Sequence, residues 1–422
     1  MNTRMRGIRD VAEKHLCTGC GTCAYVSPAS IQMVDVLDQG RRPLVVEGAD
    51  TSEALSACPG VGLEHGPDPA GVIPQLREGW GPVLELWEGY AADDEVRWLA
   101  SSGGAATALA LFGLEQRGMA GVLHIGARSD VPYLNQSQLS TSRDELLAAT
   151  GSRYAPASPC DGLQLVEDAS GPSVMIGKPC DIAGARKAAS LRPQLEKQLG
   201  LTIGIFCAGT PSTAGTLEMI RRMGFEDPGA IERVRYRGKG WPGFAEVEAQ
   251  GHTARLTYDE SWGKVLQRHR QWRCYVCADH SGEFADIAVG DPWYRETSEG
   301  EPGRSLILAR TPRGREFLEA ALAAGVIHAE LVSADKLPAA QINLLHTRGA
   351  VWGRSLVCRL LGVPAPVYRG LPTFRVWLRS LSLKQRAQSL YGTVKRVLLT
   401  KKLYRRSRIV PWTSQDAGEA GE

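Results

Sequence analysis

Three things are missing from this 422-residue chain, and each removes a class of protein. The stretch from Met1 to Arg6 leads into no apolar segment such as a secretion signal carries. No uncharged apolar run reaches the roughly 20 residues that a membrane-spanning helix needs. The ten cysteines are therefore expected as reduced thiols in a cytoplasmic protein, where clustered cysteines bind metal or do redox work more often than they cross-link. The third absence is acidic: from Lys336 to Gln415 there are 16 Lys and Arg and no Asp or Glu. The net charge of +3 thus conceals an acidic body and a basic tail. Apolar residues are plentiful at 43%, enough for two or three domains with buried cores.

The cysteines are grouped. Cys17, Cys20 and Cys23 recur at two-residue gaps, Gly19 and Gly21 let so tight a loop wrap a bulky inorganic centre, and Cys58 follows later with Pro59 behind it. This is the pattern of a [4Fe–4S] ligand loop with a remote fourth ligand. A bacterial ferredoxin run would place a further Cys-Pro pair where Ser27-Pro28 stands. That cysteine serves the other cluster in two-cluster ferredoxins, so a single cluster is expected in this segment. A structural zinc site is the alternative.

Asp68 to Pro82 is rich in Pro and Gly and reads as a linker. Val83 to Tyr90, apolar at alternate positions, reads as a strand, and Ser101-Ser102-Gly103-Gly104 then opens an alanine-rich helix. Backbone N–H groups at such a helix start, with no Cβ in the way, suit a phosphate, although the same turn can simply cap a helix. Thr150 to Pro156 is a polar loop that puts Ser152, Arg153 and Tyr154 together. Two apolar runs, Ser173 to Gly177 and Leu201 to Phe206, each end in a turn with one cysteine, Cys180 and Cys207, before a helix. Repeated strand, cysteine turn and helix is how a parallel α/β sheet lines the crevice at its carboxyl strand ends. A lone cysteine there is usually a small core residue. With Cys274 and Cys277, however, these two complete the thiolates of a second [4Fe–4S] cluster. Arg235 to Gly243 is a basic, glycine-punctuated loop carrying Lys239 and Trp241, able to hold an anionic or flat cofactor or to be a solvated hairpin. The run Ala285 to Gly290 ends in Gly290-Asp291-Pro292, as a strand does at a ligand crevice.

In this order the motifs resemble the coenzyme F420 hydrogenase/dehydrogenase beta subunit family, which includes chlorophyll-pathway ferredoxin-dependent reductases. The resemblance is carried by Cys17-x-x-Cys20-x-x-Cys23, Ser102-Gly103-Gly104-x-x-Thr107, Gly151-Ser152-Arg153-Tyr154, Gly177-Lys178-Pro179-Cys180 and Phe206-Cys207-x-Gly209. It continues through Arg237 to Gly243, Cys274-x-x-Cys277 and Ala285-Asp286-Ile287-x-x-Gly290-Asp291, covering about residues 15 to 335. It implies an α/β fold with a ferredoxin-like iron–sulfur segment (1–75) and a central FAD and [4Fe–4S] domain (80–345); a basic helical extension (346–422), read from its own residues, follows. The N-terminal cluster would use Cys17, Cys20, Cys23 and Cys58. The flavin-side cluster would use Cys180, Cys207, Cys274 and Cys277, with Cys160 as a substitute ligand and Cys358 a core thiol. Ser102, Gly103, Gly104, Thr107, Ser152, Arg153, Tyr154, Gly177, Lys178, Lys239, Trp241, Asp286 and Gly290 become FAD-side residues. His280 and Asp291 become the proton donors to examine. The implied function is an oxidoreductase passing electrons between ferredoxin or coenzyme F420 and a second acceptor or substrate. The alternative is a non-catalytic electron-transfer subunit docked on a larger enzyme, in surface-polysaccharide synthesis for example.

The tail departs from that pattern. Phe374, Trp377, Leu378 and Leu381, then Leu390, Tyr391, Val394, Val397 and Leu398, recur at helical spacing among cations, and Lys401 to Arg406 is basic throughout except for Leu403 and Tyr404. Two outcomes are open: helices packed on the acidic body, or peripheral attachment to an anionic inner membrane face. Nucleic acid is not expected as a partner, because no recognition module accompanies the charge.

Overall fold

The structure, a computed structural model, describes residues 5–298, 300–401 and 403–413. Lys402 of the basic run and the first four residues lie outside them. Its core is one eight-stranded sheet. Across the sheet the strands run Ile327–Leu331, Glu85–Ala91, Ser305–Ala309, Ile287–Gly290, Leu199–Ile205, Ser173–Gly177, Val122–Ala127 and Asn135–Ser140. The four from Ile287–Gly290 to Val122–Ala127 are parallel and the flanking ones antiparallel. The sheet is therefore mixed rather than parallel throughout. One reason is local: Val122–Ala127 and Asn135–Ser140 are joined by a short loop, which permits only antiparallel pairing.

Both faces of the central strands are covered, which is why they read as unbroken apolar runs. Val174, Leu201 and Ile203 pack on one side against the helix Ala105–Gln116 and Phe317. Leu123 and Met175 pack on the other against Ile182 and Ala185 of the helix Pro179–Ala189. That second layer is continuous with the N-terminal segment, whose Leu16, Tyr25 and Ile31 join the same core. An antiparallel hairpin, Ile31–Val36 with Gly40–Val45, frames the segment.

The expected linker is partly a helix. Pro74–Trp80 begins on its proline, an N-terminal position where the missing N–H costs nothing, and buries Leu76 and Trp80. The tail is likewise built into the fold. The helix Ile342–Leu360 crosses the expected boundary at 345/346 and buries Arg348 against Glu283. Its Gly349 and Gly353 admit Leu381 and Ser389 of the last two helices, Thr373–Ser380 and Leu383–Leu398, and their surroundings, while Trp352 packs on Phe374 and Trp377. Val367–Arg369 pairs in parallel with Gly62–Glu64, tying the tail to the N-terminal segment. Several tail cations are used on the body: Arg379 pairs with Glu78, and Arg406 with Asp10 and Glu13. Among the described residues no helix is long and apolar enough to cross a membrane.

Candidate functional site: two thiol groups beside a cavity

All ten cysteines are free, and eight of them fall into two groups. Cys17, Cys20, Cys23 and Cys58 line one small pocket with Pro59. The loop closes because Gly19 and Gly21 adopt positive φ, 77° and 91°, where a side chain would be strained. Gly19 N–H donates to Cys17 Sγ at 3.3 Å. Burial, then the neighbouring Cys20 and Cys17, push the Cys58 thiol up to about 12. Cys20 is pulled the other way, to about 6, chiefly by hydrogen bonding with Cys160.

The second group sits at the carboxyl ends of two adjacent parallel strands. Cys180 opens the helix after Ser173–Gly177, and Cys207 follows Leu199–Ile205. Cys274 and Cys277 approach from the short helix Trp272–Tyr275 and the turn after it. The thiols act electrostatically on one another: Cys207 is pushed up to about 12, first by burial and then by Cys274, with Cys277 adding to it. Thr210 N–H donates to Cys274 Sγ at 3.3 Å. At that value Cys207 stays protonated at neutral pH when free, and ligation is what would make it a thiolate. Among the described residues no three His, Cys, Asp or Glu stand close enough to hold a single metal ion. A four-iron cluster occupies the space between its thiolates, so four convergent but separated thiols fit its donor chemistry.

One helix touches both groups. Cys180 is in the first turn of Pro179–Ala189, and four residues on, a Cβ at Gly184 would stand 3.4 Å from Cys20 Sγ. Cys160 fills the remaining gap, its N–H donating to Cys20 O at 2.9 Å and its Sγ to Asp181 O at 3.1 Å.

Next to the second group lies a cavity of about 300 Å³. Cys207 is in its wall, and so are Ser102, Gly104, Thr107, Ser152, Arg153, Tyr154, Gly177, Lys178, Gly290 and Asp291. The helix Ala105–Gln116 starts here on Gly104, φ 77°, with no side-chain cap at that position, and Ala105, Ala106 and Thr107 of its first turn line the cavity. Lys178 supplies a cation, bonded to Asp181 at 2.7 Å; burial opposes its charge, but Asp181, Cys180 and Cys207 together outweigh burial and hold it above its ordinary value. An aromatic side closes the opposite end, where Tyr258 stacks on Trp293 at 5.2 Å and Tyr154 meets Trp262 at 5.0 Å. Asp291 is fixed by Arg237, which donates to both its oxygens at 2.9 and 2.5 Å, and by Trp241 Nε1 at 2.8 Å.

Other expected residues have different surroundings. Lys239 pairs with Glu246 at 2.9 Å, and Trp241 stacks on Trp293 behind the cavity wall. Gly103 packs on the backbone of Arg304 and Ser305. The Arg153 guanidinium is occupied by the carbonyls of Val234 and Pro132. Asp286 is buried and bonded to Arg186, Thr202, Thr311 and Arg313, so it ties the sheet to two helices rather than facing the cavity. His280 also stays out of the lining; its Nδ1–H donates to Cys207 O at 2.8 Å, and burial lowers it to about 4, keeping it neutral. Sequence reasoning assigned no role to Tyr258, Trp262 or Trp293, and included Arg237 only as part of the basic loop Arg235 to Gly243. The one available signal was the aromatic residue directly after Gly290-Asp291-Pro292.

Eight grouped thiols and a cavity at the carboxyl ends of α/β strands place the chain in the class of α/β proteins whose strand-end loops border a ligand-sized cavity. Comparison with known families narrows the class. The N-terminal model of the coenzyme F420 hydrogenase/dehydrogenase beta subunit matches residues 86–164 and the C-terminal model residues 173–335. The chain belongs to that family, and so stands among oxidoreductases that transfer electrons. The second thiol group lies wholly within the matched residues, and the first precedes them. The coenzyme F420 hydrogenase subunit beta of Methanosarcina barkeri is 25% identical over 254 residues, 58% of this chain and 81% of that one. The F420-dependent formate dehydrogenase subunit beta of Methanocaldococcus jannaschii is 27% identical over 237 residues, 56% of this chain and 59% of that one. A chain of the F420-reducing [NiFe] hydrogenase complex from Methanosarcina barkeri, solved with xenon, shares the fold with TM-score 0.52 at 22% identity, covering 66% of this chain and 94% of that one.

Proposed function

We propose that the chain is an iron–sulfur flavoprotein that passes electrons between ferredoxin or coenzyme F420 and a second acceptor, using FAD and two [4Fe–4S] clusters. The observation that carries this reading is the position of Cys207, at once in the second thiol group and in the cavity wall. Iron–sulfur clusters carry single electrons, and a flavin converts these to two-electron chemistry. The chain's residues have legible parts in holding such groups. The uncapped N–H groups after Gly104 and the Lys178 ammonium suit a pyrophosphate, and the stacked Tyr258 and Trp293 suit a flat ring. His280, neutral and bonded to the Cys207 carbonyl, holds that thiol's loop in place. Asp291 has both oxygens engaged by Arg237 and Trp241, which favours a positioning part over proton donation. The test is anaerobic cofactor analysis: about eight iron, about eight sulfide and about one FAD per chain are expected. A colourless protein with stoichiometric zinc would overturn the reading.

A docked, non-catalytic subunit is favoured by one observation, that the relatives are named as subunits. It would bind the same cofactors and turn over only with its partner, so steady-state assays with and without that partner separate the two. Peripheral membrane attachment also belongs to the proposal. Its support is the exposed Leu383, Tyr391 and Leu399 beside the exposed Lys384 and Lys395.

A further inference from the structure

Two cations lie between the thiol groups. Arg42 leaves the strand Gly40–Val45 and lies against the first cysteine loop, where a Cβ on Gly19 would stand 3.7 Å from its Nη1. From there it reaches toward the second group, Nη2 donating to Gln271 Oε1 at 2.9 Å, three residues before Cys274. Arg273 runs the opposite way. It adjoins Cys274 in the chain and donates to Pro59 O at 3.1 Å and Gly60 O at 3.3 Å, directly after Cys58. The two are 4% and 3% exposed. Arg42 Nε and Arg273 Nη1 are buried with no hydrogen-bond partner.

Neither guanidinium has an Asp or Glu partner among the described residues, and both are surrounded by thiols. Cys17 and Cys274 act on Arg42; Cys180, Cys274 and Cys277, together with Tyr368, act on Arg273, which also acts on Cys17. A guanidinium keeps its charge when buried, and a buried charge without a counter-charge is strongly destabilising. Two other buried arginines show the contrast, Arg237 with Asp291 and Arg348 with Glu283, while Arg310 is met by the carbonyls of Trp80, Pro82 and Ser281. What can balance Arg42 and Arg273 is the negative charge that cluster-bound thiolates would bring.

Resting on the iron–sulfur reading above, we infer that Arg42 and Arg273 are the built-in counter-charges of two clusters, each arginine facing both. They are positioning residues and not ligands. A fixed positive charge favours the more reduced, more negative form of a cluster, so each arginine raises the reduction potential of both. Because each faces both groups, they also keep the two potentials moving together.

The test uses the full-length protein, purified anaerobically, with iron and sulfide counted before an EPR-monitored redox titration. Wild type without clusters would overturn the parent reading, whatever the variants do. Given clusters in wild type, R42Q and R273Q should each lower the midpoint potentials of both clusters, and R42K and R273K should restore most of the shift. Gln variants that fail to assemble clusters while the Lys variants assemble them would equally support a need for charge. Unchanged potentials in the Gln variants would overturn the inference. So would failure of both Gln and Lys variants, which would assign the requirement to guanidinium shape. A shift confined to one cluster would overturn the claim that each arginine serves both.

Discussion

The Arg237–Asp291 pair offers the sharpest stability test. Arg237 is 2% exposed; burial works against its charge, and Asp291, with Tyr154 and Tyr258, outweighs burial and holds the guanidinium above its ordinary value. Its Nε also donates to Pro242 O at 2.6 Å, and its cation lies 5.1 Å over the rings of both Tyr258 and Trp293. Arg237→Met keeps most of the volume but leaves Asp291 with only Trp241. Removing one partner of a buried pair costs about 3–5 kcal/mol. Unfolding entropy of about 2.1 cal/mol/K per residue gives about 0.9 kcal/mol/K over a chain of this length, so the midpoint should fall by about 3–6 °C. Differential scanning calorimetry measures this, with Asp291→Asn as the second arm. If the loss comes from the uncompensated carboxylate, R237M/D291N should recover more than half of it. A single variant within about 1 °C of wild type would refute the electrostatic argument, and a double variant no better than the single would move the cause to lost aromatic packing.

The two thiol groups should be separable: Cys20→Ser and Cys274→Ser are each expected to lower the iron content by about half, and loss of all iron in either variant would count against two independent clusters. His124 is buried and lowered below its ordinary value of 6.5, by desolvation first, with Nδ1–H donating to Ile125 O at 3.0 Å and Nε2 accepting from Ser140 Oγ at 2.8 Å. A base with a depressed folded pKa contributes stability that is fully present above its unfolded value and lost as pH falls toward the folded one. His124→Gln should therefore flatten the loss of stability below about pH 6.5, measured by denaturant midpoint against pH, and an unchanged profile would remove His124 from the account. Replacing the exposed Lys384 and Lys395 by Gln should weaken binding to anionic liposomes by about 2 kcal/mol, roughly 30-fold; unchanged co-sedimentation would sink the membrane proposal.

What was legible in the sequence was local. Apolar runs ending in Gly-Lys-Pro-Cys or Phe-Cys-x-Gly announced strands Ser173–Gly177 and Leu199–Ile205 and their cysteine turns, because strand end, turn and helix start are neighbours in the chain. The order of the sheet was not legible. Glu85–Ala91 pairs with Ser305–Ala309 more than 200 residues away, and nothing near either segment encodes the other. Burial of charge was hidden too. Arg42 is taken out of water by the first cysteine loop and by Gln271, more than 200 residues away, which nothing near it in the chain signals. The helix Pro74–Trp80 was masked by the proline and glycine around it, although proline at a first helical position is a start signal. Lys239 looked like an anion contact until Glu246, on the neighbouring strand Phe244–Ala249, was brought beside it.

The grip of Arg273 on the carbonyls after Cys58 bears on how freely this architecture can be recombined. An N-terminal segment hung on a flexible tether could be exchanged for any small electron carrier of similar size. Here the body's own side chain completes the segment's loop, the hairpin's Arg42 reaches back to the body, and Gly184 leaves room for Thr22 and Cys20. A grafted carrier would arrive with its own loop intact and still leave a buried cation bare and a helix face unmatched. The segment is a fixed terminal, built into the same core as the body.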